Sequence, residues 1–451
     1  MLMETAISIL DHLQFDCPTT EQKNVLWAMS EFVKETNTDD FLILCGSAGT
    51  GKTSITTALI GHLNANHIDY TIAAPTGRAA RIIGRKAQTI SNTIHSMIYI
   101  PETNSKTGEI VWKLQSNEDE EYCIYIIDEA SMIASKASNE VGSLFSSDHS
   151  LLDGLIHYVK RSNSKNKIIF LGDTNQLAPI HEQDSKALDA NYLSEKYQLK
   201  GKSYKLTQVK RQEEGSCILK NATLTRDAID ANLTSVPLEG FSKVSLNYAA
   251  TTFAKEYEQN GFENIISIGA THPMNKFFNA MVRERLYKNS SQIIEKNELL
   301  YISTTWKRNG EQLYNGDHVV VEEVNMNCVE LVSGLHFVPI KLNYKTGENE
   351  EKIIEDYLIL ESVTNIDGLT KEQENRLRHE RRNKNNKYRD SGFPSDDRYV
   401  GAIRACYGYS ITCNKAQGGE WDKVYLNNYH IPTMKFQYTA ITRAKSDVLL
   451  Y

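Results

Sequence analysis

An α/β fold with ligand chemistry at the ends of its strands is predicted by three stretches of this sequence. "FLILCGSAGTGKTSITTALIGHL" begins with an apolar run over 41–45. "EYCIYIIDEAS" carries one over 123–127, and "KIIFLGDTNQLAPI" ends one at Gly172 and Asp173. Each run has the length of a buried strand and stops at a polar or glycine-rich turn. Polar clusters at strand C-termini are where open α/β sheets place ligands.

In the first stretch, Gly46 to Thr53 match G-x-x-x-x-G-K-[ST], and a helical pattern follows. That is the strand–loop–helix context a P-loop requires. Gly49, Thr50 and Gly51 let backbone N–H groups curl around phosphate oxygens, and the helix N-terminus adds positive potential. Lys52 would contact the β- and γ-phosphates, and Thr53 would hold Mg²⁺, so ATP and Mg²⁺ are the expected ligands. In the second stretch, Asp128 at the strand's end suits the Mg²⁺ shell. Glu129 beside it suits general-base work on the attacking water. Two acids also end many ordinary strands, but a P-loop in the same chain favours catalysis. In the third, Gln176 could sense the γ-phosphate or orient water, although "GD" alone is a common turn.

The 451 residues, 40% hydrophobic and 24% charged, are enough for two or three domains. No run of eighteen apolar residues occurs, so no transmembrane helix and no membrane partner are expected. "MLMETAISILDHLQFD" lacks a basic start and a cleavage site, and reads as an amphipathic helix rather than a signal peptide. The seven cysteines are scattered and form no CxxC pair. Neither disulfides nor zinc are expected, which fits a reducing, cytoplasmic setting. A net charge of −7 argues against a uniformly basic surface and leaves room for a local basic groove.

Taken in order, the motifs resemble those of superfamily 1 helicases, most closely the 5′→3′ branch of RecD-like and phage Dda-type enzymes. "PTTEQKNVL" looks like the adenine-side motif, with Gln22 as base reader. "GSAGTGKT" and "IIDEAS" are similar to motifs I and II, "AAPTGRAA" to Ia, and "TIHSM" to the segment after it. "GDTNQLAPI" resembles motif III, "LTQVKRQ" IV, "SITCNKAQGGEWD" V and "YTAITRAK" VI. The resemblance implies an α/β protein of two RecA-like P-loop domains with ATP between them, a β-hairpin pin insertion and a small SH3-like β-barrel insertion. It places motor domain 1A at 1–96 and 118–235, the pin (1B) at 97–117, and motor domain 2A at 236–320 and 400–451. Insertion 2B, with a basic helical tower, takes 321–399. Independently, Arg443 lies nearly four hundred residues beyond Lys52, too far for one mononucleotide-binding domain. Its guanidinium has the chemistry of an arginine finger. Arg211 would be a second phosphate-contacting arginine, and by resemblance Glu420 would touch the ribose. Motif V departs from its usual T-x-H-K pattern by carrying Asn414, which cannot titrate near neutrality.

A motor on single-stranded DNA needs hydroxyl, amide and basic groups for the backbone and a few stacking platforms. By resemblance, Thr76, Gly77, Arg78, Thr93 and His95 in the first domain, and Thr271, His272, Thr412 and Lys415 in the second, line one channel. Within 321–399, residues 376–389 hold seven Lys or Arg and one Glu. Most such runs are solvated faces; a phosphate-contacting tower is the other reading. "SMIYIPETNSKTGEIVWKLQ" alternates like a hairpin, with Gly108 in its turn. Trp112 on its second arm either docks the hairpin or stacks on a base, and the place of the pin in the resembling helicases favours stacking. The expectation is an ATP-dependent 5′→3′ DNA helicase, a monomeric motor acting on single-stranded and forked duplex DNA, with replication or single-strand-binding proteins as candidate partners. The motor motifs leave open an RNA-directed or protein-displacing translocase, and a non-catalytic P-loop binding subunit is the rival of another class.

Overall fold

The computed structural model describes residues 9–13, 17–103, 110–119, 121–137, 149–208, 216–288, 290–345 and 351–451; the side chains of 101–103, 110 and 111 are outside the description. Two compact units emerge. One is made of Met1–Ile100, Lys113–Ser138 and Ser147–Ser216; the other is Cys217–Tyr451, to which Pro101–Trp112 is also assigned.

Up to residue 216 the strands are β1 (Phe41–Gly46), β2 (Asp69–Ala74), β3 (Ser91–Thr93), β4 (Tyr99–Thr103), β5 (Ile110–Leu114), β6 (Cys123–Ile127), β7 (Lys167–Gly172) and β8 (Gly201–Leu206), all in the first unit except most of β4 and β5, which fall in the 101–112 stretch assigned to the second. Six of them form one parallel sheet in the order β3-β2-β6-β7-β1-β8. β1, β6 and β7 are buried along their whole length, as all-apolar runs in a parallel sheet covered on both faces should be. Alternate residues Leu42, Leu44, Ile124, Ile126, Ile169 and Leu171 join Val25, Met29, Ile55 and Leu59 from covering helices in one core. Each such side chain contributes roughly 1.5–3 kcal/mol by burial. β4 and β5 pair as a separate two-stranded sheet where the hairpin was expected. Its base is tied down by Gln115, whose N–H donates to Ile98 O at 2.9 Å and whose side-chain amide donates to Met97 O. The turn residue Gly108 lies outside the described residues.

The second unit contains β9 (Ser242–Lys243), β10 (Ile265–Gly269), β11 (Leu299–Ile302), β12 (Trp306–Arg308), β13 (Glu311–Leu313), β14 (His318–Val324), β15 (Glu330–Val332), β16 (Leu335–Lys345), β17 (Glu351–Ile359), β18 (Ala405–Tyr407), β19 (Ser410–Thr412), β20 (Trp421–Leu426) and β21 (Ala444–Leu450). A parallel sheet runs β19-β10-β20-β21-β9. Around Phe253, Phe278, Tyr409 and Tyr425 it builds its own core. A second, antiparallel sheet runs β15-β16-β14-β11-β18, with β17 on β16.

Two boundaries differ from the sequence reading. The antiparallel sheet begins at Leu299 and closes at Tyr407, wider than 321–399, because an apolar run such as Leu299–Ile302 does not disclose the direction in which it will pair. The helix Cys217–Asp230 belongs to the second unit rather than to 118–235. Gln437 Nε2 donates to Thr225 Oγ1 at 3.2 Å and to Val236 O at 3.1 Å, fastening that stretch to the helix Met434–Ile441.

The basic block also turns out differently. It forms the helices Lys371–Lys384 and Asn386–Ser391, and two of its arginines are engaged within the fold. Arg381 pairs with the buried carboxylate of Asp397 at 2.9 Å and lies over the Tyr399 ring, and Arg378 lies 3.5 Å from Glu374. Glu374 also takes a two-pronged bond from Arg404. The tower reading is therefore corrected at Arg381: buried acids on neighbouring segments claim it, and these were invisible in the local charge pattern.

Candidate nucleotide and nucleic-acid sites

The C-terminal edge of the first sheet gathers the expected chemistry. The loop after β1 leads into the helix Lys52–Ala65, entered through Gly49 and Gly51 at φ of 79° and 91°. Such positive φ favours glycine. A side chain on Gly46 would lie 2.6 Å from Thr50 Oγ1, so the loop has no room for one. Thr50 is fully buried, and its hydroxyl donates to Ser47 O at 2.9 Å. Lys52 Nζ donates to Gly46 O and, at 3.2 Å, to Ser47 O, so the ammonium lies over the loop itself. Thr53 follows on the first helical turn.

Gln22 is 2% exposed. Its side-chain oxygen accepts from Thr19 N at 2.9 Å, closing the N-terminal cap of the helix Thr20–Phe32, and its amide donates to Thr50 O at 3.0 Å. The expected base reader thus braces the P-loop from the outside.

Asp128 follows β6, its N–H donating to Ala73 O at 2.9 Å on neighbouring β2. Burial raises its carboxyl above the usual carboxylate range, against the pull of Lys52 and Lys86. Glu129 has φ 50° and ψ 38°, a left-handed conformation that non-glycine residues adopt at some cost. Beyond β7, Asp173 Oδ1 accepts from Asn175 N at 3.0 Å. Gln176 is 5% exposed, and its side-chain oxygen has no hydrogen-bond partner. Ser131 Oγ, just past Glu129, is in the same condition. Sequence reasoning singled out Gln176 and gave no role to Ser131, although it closes the IIDEAS motif. These residues fit a nucleotide with Mg²⁺: a glycine cradle without room for side chains, a lysine resting on neutral carbonyls, a crowded carboxyl, and an idle buried acceptor.

On the same edge, at β2 beside β6 and at β3 beyond it, lie the first unit's strand-gripping candidates. Thr76 follows β2 and caps the helix Gly77–Ala87, its hydroxyl accepting from Ala79 N at 3.2 Å. Gly77 is buried and Arg78 half-buried beside it. Thr93 ends β3, pairs in register with Ala74, and caps Ile94–Ile98 by accepting from Ser96 N at 3.1 Å. His95 follows, its ring 6.1 Å from that of Tyr99. Burial pushes its imidazole down to about 4, so it is neutral at ordinary pH. Trp112, on β5, is half-buried.

The second sheet repeats the arrangement. β10 and β19 pair with Gly269 opposite Thr412. Thr271 caps the helix His272–Leu286, accepting from Met274 N. Lys415 Nζ sits 4.8 Å over the Tyr301 ring, a partner the motif did not announce. Partial burial and the Lys415 ammonium together hold His272 below its ordinary range. Arg443 is 5% exposed. It donates to Thr439 O at 3.1 Å, to Gly419 O at 3.2 Å and to Thr442 Oγ1 at 3.2 Å, all neutral oxygens. Glu420, half-buried, immediately follows the carbonyl that Arg443 holds. Arg211 lies outside the described residues.

Comparison with known proteins concerns the domains and the fold. An AAA domain model matches residues 30–182, and a UvrD-like helicase C-terminal domain model matches 407–451. No curated protein sequence matches the chain. The fold is similar to Pif1 helicase from Bacteroides in complex with ADP-AlF3 and ssDNA, at 14% identity and TM-score 0.51, covering 97% of this chain and 92% of that one. It is similar to Pif1 from Candida albicans at 15% identity and TM-score 0.50, covering 97% and 94%. It also resembles a Pif1 structure addressing unwinding of forked dsDNA by two coordinating helicases, at 15% and 0.50, covering 96% and 91%. An AAA domain model thus matches toward one end of the chain and a UvrD-like helicase C-terminal domain model the other, and the fold as a whole is similar to that of Pif1 helicases.

Proposed function

We propose that the chain is an ATP-dependent DNA helicase that moves 5′→3′ along single-stranded DNA and splits forked duplexes with the β4–β5 hairpin. The observation that carries the motor reading is the shared edge of the first sheet. Phosphate-binding loop, acids and idle Gln176 acceptor stand at the ends of β1, β6 and β7, and the strand-gripping threonines at the ends of β2 and β3. One rigid sheet then carries both chemistries, which suits a machine that couples them. The Pif1 neighbours with ADP-AlF3, ssDNA and forked DNA support the same ligands here.

In this reading the P-loop amides and Lys52 hold the β- and γ-phosphates. Mg²⁺ held by Thr53 and Asp128 would neutralise phosphate charge. Glu129 takes a proton from the attacking water, and Gln176 orients that water or the γ-phosphate. Arg443, and Arg211 with it, lend positive charge to the transferring phosphoryl group. Gln22 and Glu420 serve the base and ribose. The threonines with Gly77, Arg78, His95, His272 and Lys415 grip the strand, and Trp112 stacks on a base at the fork. The chain works as a monomer in the cytoplasm.

Steady-state ATP hydrolysis with and without single-stranded DNA tests this. Stimulation by DNA, abolished in Lys52→Ala, is the expected result. Hydrolysis indifferent to DNA would remove the motor, and RNA stimulating better than DNA would shift the substrate.

A further inference from the structure

We infer that Asn275 is a positioning residue that locks the helix His272–Leu286 to the edge strand β19, so that both halves of the second unit's strand-gripping edge move as one piece. The inference rests on the proposed role of Thr271 and Thr412 in holding DNA.

β19 is the outermost strand of its sheet and only three residues long. It pairs with β10 on one side. A strand this short, with one ladder, has little to hold its register. Two asparagines one helical turn apart supply the missing side. Asn279 treats Ser410 as a strand would: its side-chain oxygen accepts from Ser410 N at 2.7 Å, and its amide donates to Ser410 O at 3.3 Å. Asn275 takes the side chain, its oxygen accepting from Ser410 Oγ at 2.8 Å. Behind Ser410, Ser267 Oγ lies 2.9 Å away and Tyr451 OH a further 2.7 Å on, continuing the run into the sheet. All of these groups are buried.

The placement of Asn275 gives this network a consequence at the DNA edge. Its N–H donates to Thr271 O at 3.2 Å, and its side chain lies so close to Gly269 that a Cβ there would collide with Oδ1. It is therefore wedged beneath the turn that presents Thr271 and His272. Ser410, its partner, stands two residues before Thr412 and five before Lys415. One side chain thus ties the two places from which the second unit would hold a DNA backbone. Its amide nitrogen, buried and without a hydrogen-bond partner, contributes nothing to that tie; the oxygen makes it.

The test compares Asn275→Ala, Asn275→Asp, Ser410→Ala and the double alanine variant. Asn275→Ala should raise the single-stranded DNA concentration giving half-maximal ATPase by roughly tenfold, with the KM for ATP and the DNA-independent rate unchanged. Asn275→Asp keeps the acceptor and should restore most of the loss. Ser410→Ala should match Asn275→Ala, and the double variant should be no worse than either. Backbone hydrogen exchange in the DNA-free protein gives a readout that does not depend on DNA binding: Asn275→Ala should speed exchange across Ser410–Ala416. Faster exchange with no change in DNA half-saturation would leave the tie standing and sink the strand-gripping role. Unchanged exchange, an aspartate variant as poor as alanine, or additive losses in the double variant would overturn the inference.

Discussion

Gln176 and His95 show how much a single side chain's surroundings say about its work. A buried amide oxygen with no partner costs on the order of 1–3 kcal/mol, so the fold carries Gln176 at a loss. Gln176→Ala should lower kcat for ATP roughly a hundredfold, in line with losing one preorganised polar group, while the thermal midpoint holds or rises. A kcat within twofold of the parent would remove Gln176 from the chemistry. His95 makes a prediction about pH. Its folded value of about 4 lies below its unfolded value near 6.5, so the unfolded chain binds the extra proton in between. Stability from this group is complete above about 6.5 and is lost as pH falls toward 4, by roughly 2–3 kcal/mol. Urea midpoints across that range, compared with His95→Gln, check it; a variant with an unchanged pH slope would contradict it.

At the scale of elements, the hairpin and the basic helices make opposite points. β4 and β5 pair as the alternating residues of 98–114 led one to expect. Trp112→Ala should cut duplex unwinding at least tenfold while leaving DNA-stimulated ATPase within about twofold, because a lost stacking contact is worth roughly 1–3 kcal/mol. Parallel loss of both activities would make Trp112 a packing residue. At Arg381 the charge pattern misled, because a run of like charges says nothing about the acids it will meet after folding. Arg381→Ala leaves Asp397 buried without its partner and should destabilise the protein by roughly 3 kcal/mol. Urea denaturation measures this, and a salt slope for DNA binding that falls without loss of stability would revive the tower. Legibility followed range. The P-loop and the DEAS acids are local patterns with local causes, and they follow β1 and β6 as their spacing put them. The Gln22 brace on Thr50, the Tyr301 ring under Lys415 and the asparagine clamp on Ser410 join residues from 28 to well over 100 positions apart, and no spacing rule reaches that far.

For the whole molecule, two parallel sheets each carry candidate site residues at the C-terminal ends of their strands, and the chain returns to the second sheet only after an antiparallel insertion. That return is why Arg443 is so remote in sequence, and why motif order revealed the architecture when domain boundaries did not. Among the described residues, no helix is long and apolar enough to cross a membrane. The central claim concerns directed motion on DNA, and unwinding of forked duplexes carrying a single 5′ or 3′ tail, with ATP, tests it most directly. The account predicts strand separation from 5′-tailed substrates and none from 3′-tailed ones; unwinding confined to 3′ tails would contradict it.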